Sequence, residues 1–327
     1  MQLLERLRET QNLPGWVDLQ VNGHAGICFF EEGLTFDRVA EATEKLVEAG
    51  VAGLLPTVIT SPAEVMEHSL QVLGEACADA KLGKHLLGIH LEGPFLSPEP
   101  GARGAHPGEC MLLPSWDRFS RLQDHAGGNI RLLTLAPELP GALEFIEQAS
   151  ESVVCSGGHT LAGYREMRAA VEAGLRLWTH LGNGIPKEVN RHENPIIYNF
   201  AIPELVPSII TDGFHLPEGF IRATIAAKGI AGCFVISDQT HLAGMPAGEY
   251  SLGRIPVVLE ANGFLHMRDE PYLAGSSRTM TQCMEHLAGF HFLEDSELVQ
   301  LGFENPLRIL GIDVEAFRQS QGLPTAL

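Results

Sequence analysis

The sequence is short of positive charge: 22 Lys and Arg stand against 41 Asp and Glu in 327 residues, a formal net charge of −19. Such a surface lacks the basic face that displaces counterions from nucleic acid or an anionic membrane, which argues against both partners. A small anionic substrate stays open where cations are gathered locally. Paired cysteines are also missing. Cys28, Cys77, Cys110, Cys155, Cys233 and Cys283 form no CxxC and sit mostly among apolar neighbours. That pattern excludes zinc ribbons and a disulfide frame, and it points to buried thiols in a reducing, cytoplasmic setting. No stretch approaches the roughly 18 to 20 unbroken apolar residues of a membrane span. The start, MQLLERLRETQNLPGW, has no basic segment leading into an apolar one, so a soluble, unexported protein is expected. There is no GxGxxG after the first strand candidate, no GxxxxGK[ST], no internal repeat and no long linker.

What is present is a chain that is 45% hydrophobic and punctuated by 35 Gly and 20 Pro, many of them closing short apolar runs. Runs rich in branched residues recur at Trp16 to Val21, Val51 to Ile59, Leu86 to Leu91, Ile130 to Leu135, Ser152 to Ser156, Arg176 to Leu181, Val206 to Thr211 and Gly232 to Ser237. Segments with helical apolar spacing lie between most of them, as at Phe36 to Ala49, Ala63 to Ala80, Leu161 to Ala173 and Glu218 to Ala227. Near-continuously apolar strands alternating with helices imply a parallel sheet covered on both faces, and about eight such units close into a (β/α)₈ TIM-type barrel. A doubly wound open sheet is the alternative. The expected organisation is one barrel domain over 1–327, with a small β-hairpin insertion around 249–274 and helical segments near Ser277 to Leu287 and Ser296 to Leu301.

In a barrel, catalytic groups come from the C-terminal ends of several strands. Here those ends are polar: Gln20-Val21-Asn22-Gly23-His24, His90-Leu91-Glu92, Gly158-His159-Thr160, Thr179-His180-Leu181-Gly182-Asn183, Asp212-Gly213-Phe214-His215 and Ser237-Asp238-Gln239. If the barrel forms, Glu92, His159 and His180 give a two-His, one-carboxylate set suited to a catalytic divalent ion such as Zn²⁺, with Fe²⁺, Mn²⁺ and Co²⁺ also compatible. Position alone leaves Asp238 either a cap for the next segment or a general base.

The strings Trp16-Val17-Asp18-Leu19-Gln20-Val21-Asn22-Gly23, His90-Leu91-Glu92-Gly93-Pro94-Phe95, Gly104-Ala105-His106, Gly158-His159-Thr160, Thr179-His180-Leu181-x-Asn183, Thr211-Asp212-Gly213-x-His215, Ser237-Asp238 and Leu273-Ala274-Gly275-Ser276 occur in one order from about Gly15 to Met280. Together, and with 21 residues separating His159 from His180, they resemble the signature of N-acetylglucosamine-6-phosphate deacetylases in the amidohydrolase superfamily. The resemblance implies that Glu92, His159 and His180 bind one catalytic metal, and that Asp238 is the general base and then the acid. It implies that His106 and His215 contact substrate. Asn183, the backbone of Gly184 and Arg191 match positions that hold the sugar phosphate, the arginine being supplied across a homodimer. Superfamily members with a second metal carry His-x-His at the first strand, where this chain has Gln20 and Asn22, so a single ion is expected.

The chain also departs from the pattern. The family has a longer N-terminal segment forming half of a small β-sandwich, so a reduced or absent sandwich is expected, with Glu249 to Leu273 as its remaining half. Asn190 to Phe200 reads NRHENPIIYNF in place of a glycine-rich loop, and Gln239, Thr240 and His241 follow Asp238 in place of small residues. His24 lies near the mouth, His90 shares a strand face with Glu92, and His241 is placed to shape the pocket. The implied activity is hydrolysis of the acetamide of N-acetylglucosamine 6-phosphate. The alternatives are another amide, a cyclic imide or an unphosphorylated N-acetyl sugar as substrate, or a silent sugar-binding barrel with little use for Glu92, His159, His180 and Asp238 together.

Overall fold

The computed structural model describes residues 2–253, 255–270 and 272–322. Helix α1 (Gln2–Gln11) leads into eight strands: β1 (Trp16–Val21), β2 (Val51–Ile59), β3 (Ile89–Glu92), β4 (Ile130–Leu135), β5 (Val154–Gly157), β6 (Leu177–Trp178), β7 (Val206–Ile210) and β8 (Phe234–Ile236). A helix follows each in turn: α2 (Phe36–Glu48), α3 (Ala63–Ala78), α4 (Trp116–His125), α5 (Ala142–Ala149), α6 (Tyr164–Ala173), α7 (Pro195–Ala201), α8 (Glu218–Lys228) and α9 (Met280–Ala288). Neighbours in the sheet are neighbours in the chain and run parallel. Beyond β8, Gln239 bridges Val21, and its carbonyl accepts from the Asn22 amide at 2.8 Å, which brings the last strand against the first. That closure rules out the open doubly wound sheet.

Every residue of β1 and β2 is buried, as expected for strands with side chains packed inside the ring and helices outside it. The helices carry the complementary stripe. In α2, Val39, Ala42, Thr43 and Leu46 are buried at one-turn spacing, and the Thr35 hydroxyl caps the helix by accepting from the Arg38 amide. The strand candidates differ from the observed strands chiefly at their ends. β6 stops at Trp178 instead of running to Leu181, because His180 turns the chain through a left-handed conformation, φ 36°. Leu161 to Gly163 stay outside α6, whose first turn is closed by Glu166 accepting from the Gly163 amide.

Where a hairpin is expected near 249–274, three strands form: β9 (Gly248–Leu252), β10 (Ile255–Leu259) and β11 (Leu265–Met267), all antiparallel. Leu252, Val257, Leu259 and Leu265 are buried and belong to the same hydrophobic core as the barrel. Cys28, Cys155, Cys233 and Cys283 are buried free thiols, Cys77 is a half-buried one, and Cys110 is half-buried. Among the described residues no helix is long and apolar enough to cross a membrane.

Candidate active site

Glu92 ends β3, whereas His159, His180, Asp212 and Asp238 each lie two residues beyond the ends of β5, β6, β7 and β8. Parallel strands in a ring put all these ends at one mouth. There a cavity of about 650 Å³ is lined by Asn22, Glu92, His106, His159, His180, Asn183, Gly184, His215 and Asp238 among others. Its size suits a small molecule, since such sites run from about 300 to 1,000 Å³. His159, His180 and Asp238 all have positive φ, at 50°, 36° and 50°. Such conformations cost roughly 1–3 kcal/mol each in non-glycine residues and cluster where geometry serves function.

The ligand atoms converge. Glu92 Oε1 lies 3.2 Å from His159 Nε2 and 3.0 Å from His180 Nε2, and the two Nε2 atoms are 3.1 Å apart. His159 Nδ1 faces the Ala102 carbonyl at 2.8 Å, so it carries the proton and leaves the Nε2 lone pair free. Two imidazole nitrogens and a carboxylate oxygen, all buried and mutually close, fit a divalent ion of the Zn²⁺ type. Burial opposes ionisation of Glu92, yet the two imidazoles facing it, His159 and His180, hold its carboxyl well below the usual range. His106 sits beside them, its Nε2 3.2 Å from that of His159, and its buried Nδ1 has no partner. Burial lowers its pKa to about 3, which keeps His106 neutral.

Asp238 is held from β1. Its Oδ1 accepts from Asn22 Nδ2 at 2.8 Å and Gln20 Nε2 at 3.2 Å, and Gln20 also donates to Glu92 Oε2 at 3.2 Å. The two amides standing where a His-x-His pair would be therefore orient the carboxylates. Burial, reinforced by the Glu92 charge, raises the Asp238 pKa to about 6. One position further back on the same strand face, Asp18 accepts from the Ser237 amide at 3.2 Å and from the Ser237 hydroxyl, and burial raises its pKa to about 7. Asp212 takes hydrogen bonds from the Phe214 and His215 amides, from His215 Nδ1 at 2.8 Å and from the Ser276 hydroxyl at 3.0 Å. His215 is thereby fixed in orientation.

The other candidates are placed unequally. Asn183 lines the cavity with its amide on the His180 carbonyl. Gly184, at φ +61°, passes so close over His159 that an added Cβ would meet the ring at 3.0 Å. Arg191 lies on an exposed stretch and is not among the cavity-lining residues of its own chain. His90 is enclosed between the Leu19 carbonyl and Thr134 Oγ1, with both ring nitrogens engaged. His24 accepts a hydrogen bond from Gln239 behind the cavity wall, and His241 lines a neighbouring cavity of about 430 Å³. The orienting roles of Asp18, Gln20, Asn22 and Asp212 were not legible from the motif strings, although Asp18, Gln20 and Asn22 repeat with the period of two that puts them on one strand face. The outer wall formed by Phe264, His266 and Tyr272 of the three-stranded sheet and its flank had no signal in the motifs.

No family model matches the chain. It is 31% identical over 304 residues to an N-acetylglucosamine-6-phosphate deacetylase of Bacillus subtilis, covering 92% of this chain and 75% of the relative. An N-acetylgalactosamine-6-phosphate deacetylase of Escherichia coli is 27% identical over 305 residues, 92% of this chain and 78% of that one. Among solved structures, a mutant N-acetyl-D-glucosamine-6-phosphate deacetylase from Mycobacterium smegmatis in complex with N-acetyl-D-glucosamine-6-phosphate superposes with a TM-score of 0.85 at 30% identity, over 92% of this chain and 78% of its own. With this barrel and these shares of sequence, the chain belongs to the N-acetylglucosamine-6-phosphate deacetylase family of the amidohydrolase superfamily.

Proposed function

We propose that the protein hydrolyses the acetamide of N-acetylglucosamine 6-phosphate, giving glucosamine 6-phosphate and acetate, and that Glu92, His159 and His180 hold one divalent ion, Zn²⁺ first, for the purpose. The observation that carries this reading is a buried carboxylate, Asp238, fixed by two amide donors at the edge of a two-His, one-Glu cluster inside a ligand-sized cavity. An acetamide is a weak electrophile with a poor leaving group, and a divalent ion bound at such a cluster supplies Lewis-acid polarisation and acidifies water.

The chain's own residues do the rest. Asp238 removes the proton from the attacking water as the new C–O bond forms at the carbonyl carbon. It then delivers that proton to the nitrogen as the C–N bond breaks, so one carboxylate serves both transfers in turn. Gln20 and Asn22 hold Oδ1, which leaves Oδ2 for the proton. Neutral His106 stands beside the cluster, where an N–H polarises the carbonyl or holds a sugar hydroxyl. His215, aimed by Asp212, contacts the sugar together with Asn183 and the Gly184 backbone. Arg191 reaches the phosphate from the second subunit of a homodimer, in a cytoplasmic setting.

The test pairs metal analysis of protein purified without chelators with acetate release from N-acetylglucosamine 6-phosphate. About one ion per chain together with release is the expected result; one ion without release would transfer the reading to another amide. A second reading, an unphosphorylated N-acetyl sugar, another amide or a cyclic imide as substrate, is favoured by the position of Arg191 outside its own cavity. Equal rates with and without the 6-phosphate would favour it.

A further inference from the structure

The proposed substrate carries a dianionic group, yet the cavity already contains two carboxylates, Glu92 and Asp238, in a chain of net charge −19. An anion enters such a field only where a cation is placed to meet it. Of the described residues lining the cavity, Lys187 is the only lysine or arginine. It extends from the loop after β6, and two close approaches fix the chain just before it. Gly184 rests over the His159 ring, and Pro186 lies against Gly101, where an added Cβ would meet Pro186 Cα at 2.9 Å. The head is seated as well: Lys187 Nζ lies 5.2 Å from the centre of the Tyr272 ring, within the range of a cation–π contact. Tyr272 belongs to the wall contributed by the three-stranded sheet, with Phe264 stacked on His266 at 5.1 Å beside it.

The spacing is of the right order. Lys187 lies three positions beyond Gly184, so its backbone is at most roughly 10 Å from the residue packed on the His159 ring, while its side chain lines the same cavity. An acetamide at Asp238 would then leave the far end of the sugar facing Lys187. We infer that Lys187, seated on Tyr272, is the in-chain cation that recognises the phosphate of the substrate, and that the loop after β6 and the small sheet together set the preference for a phosphorylated sugar. The inference rests on the hydrolase reading above. It assigns to one subunit a share of the recognition that Arg191 supplies across the dimer.

The experiment compares kinetics on N-acetylglucosamine with and without the 6-phosphate for the wild-type protein, Lys187→Gln, Lys187→Arg, Tyr272→Phe and Tyr272→Leu, after checking metal content and melting temperature. In Lys187→Gln the KM for the phosphorylated sugar should rise about tenfold, the worth of one charge-assisted hydrogen bond, while kcat changes far less. The preference for phosphate should contract by the same factor, and the KM should become less sensitive to salt. Lys187→Arg and Tyr272→Phe, which keep the charge and the ring, should retain most of the preference, and Tyr272→Leu should lose part of it. A wild-type preference that survives Lys187→Gln with unchanged KM and salt dependence would overturn the inference alone. A wild-type protein indifferent to the phosphate would overturn the phosphorylated-substrate reading, and this inference with it.

Discussion

At the deep end of the cavity, every group assigned to metal or proton is buried and held by other side chains, whereas at the rim Lys187 and Arg191 stand exposed on one loop. Three strained backbone positions and a set of dehydrated carboxylates persist in the first arrangement only because the barrel fixes them on all sides. The second relies on a stacked ring and two close backbone contacts. Bond breaking tolerates little displacement, so its residues sit on strand ends. Recognition of the substrate's far end tolerates more, and it is carried by loops on a rigid scaffold.

Substitutions should expose this gradient. The largest effect belongs to His180→Ala, which removes one member of the two-His, one-Glu cluster: metal content should fall well below one per chain, with activity lost alongside, as read by elemental analysis and acetate release. Asp238→Asn should keep its metal while turnover drops by about 10²–10⁴, the usual worth of a positioned proton-transfer group. Full turnover in that variant would remove Asp238 from the chemistry. Asn22→Ala deletes the 2.8 Å hydrogen bond to Asp238 and should lower kcat about tenfold with KM nearly constant. At the rim, Phe264→Ala should raise KM only a few-fold, because it trims an apolar wall and touches no reacting group. An equal loss of kcat in Asn22→Ala and Phe264→Ala would erase the contrast between the two ends.

Asp18 offers a separate measure of how much the deep end costs in stability. Its carboxyl titrates at about 7 in the folded protein because burial disfavours the charge, against an ordinary value of 3.8. Between those values the folded state keeps a proton that the unfolded chain releases, so stability falls as pH rises from about 4 to 7 and levels off above. The span amounts to roughly 4 kcal/mol as an upper bound. Asp18→Asn should lack this contribution. The melting temperature of the wild type relative to the variant should therefore decline between pH 5 and pH 7.5, and a constant difference would contradict the buried, protonated carboxyl.

The barrel and the gathering of Glu92, His159 and His180 were legible in the sequence because both depend on local signals. Alternating apolar strands and helices imply a parallel sheet covered on both faces, and eight such strands, once closed, gather the polar strand ends, including Glu92, His159 and His180, at one mouth. Asp18 was hidden because its partner, Ser237, lies at the other end of the barrel sequence and meets it only when the ring closes. Asp212 was visible as a strand-end acid, but its use in aiming His215 depends on a turn conformation. The hairpin expected around the turn at 261–263 corresponds to Ile255–Leu259 and Leu265–Met267, whereas the added strand, Gly248–Leu252, fully buries only Leu252 and so carries no apolar run to announce it. Lys187 reads as an ordinary loop lysine until Tyr272, remote in the sequence, is brought beneath it.

The most direct measurement is acetate release from N-acetylglucosamine 6-phosphate by the purified protein, with bound metal counted in the same sample. The account predicts about one divalent ion per chain and release that disappears when the ion is removed and returns when it is restored. A fully metal-loaded protein that releases no acetate from this sugar would contradict it.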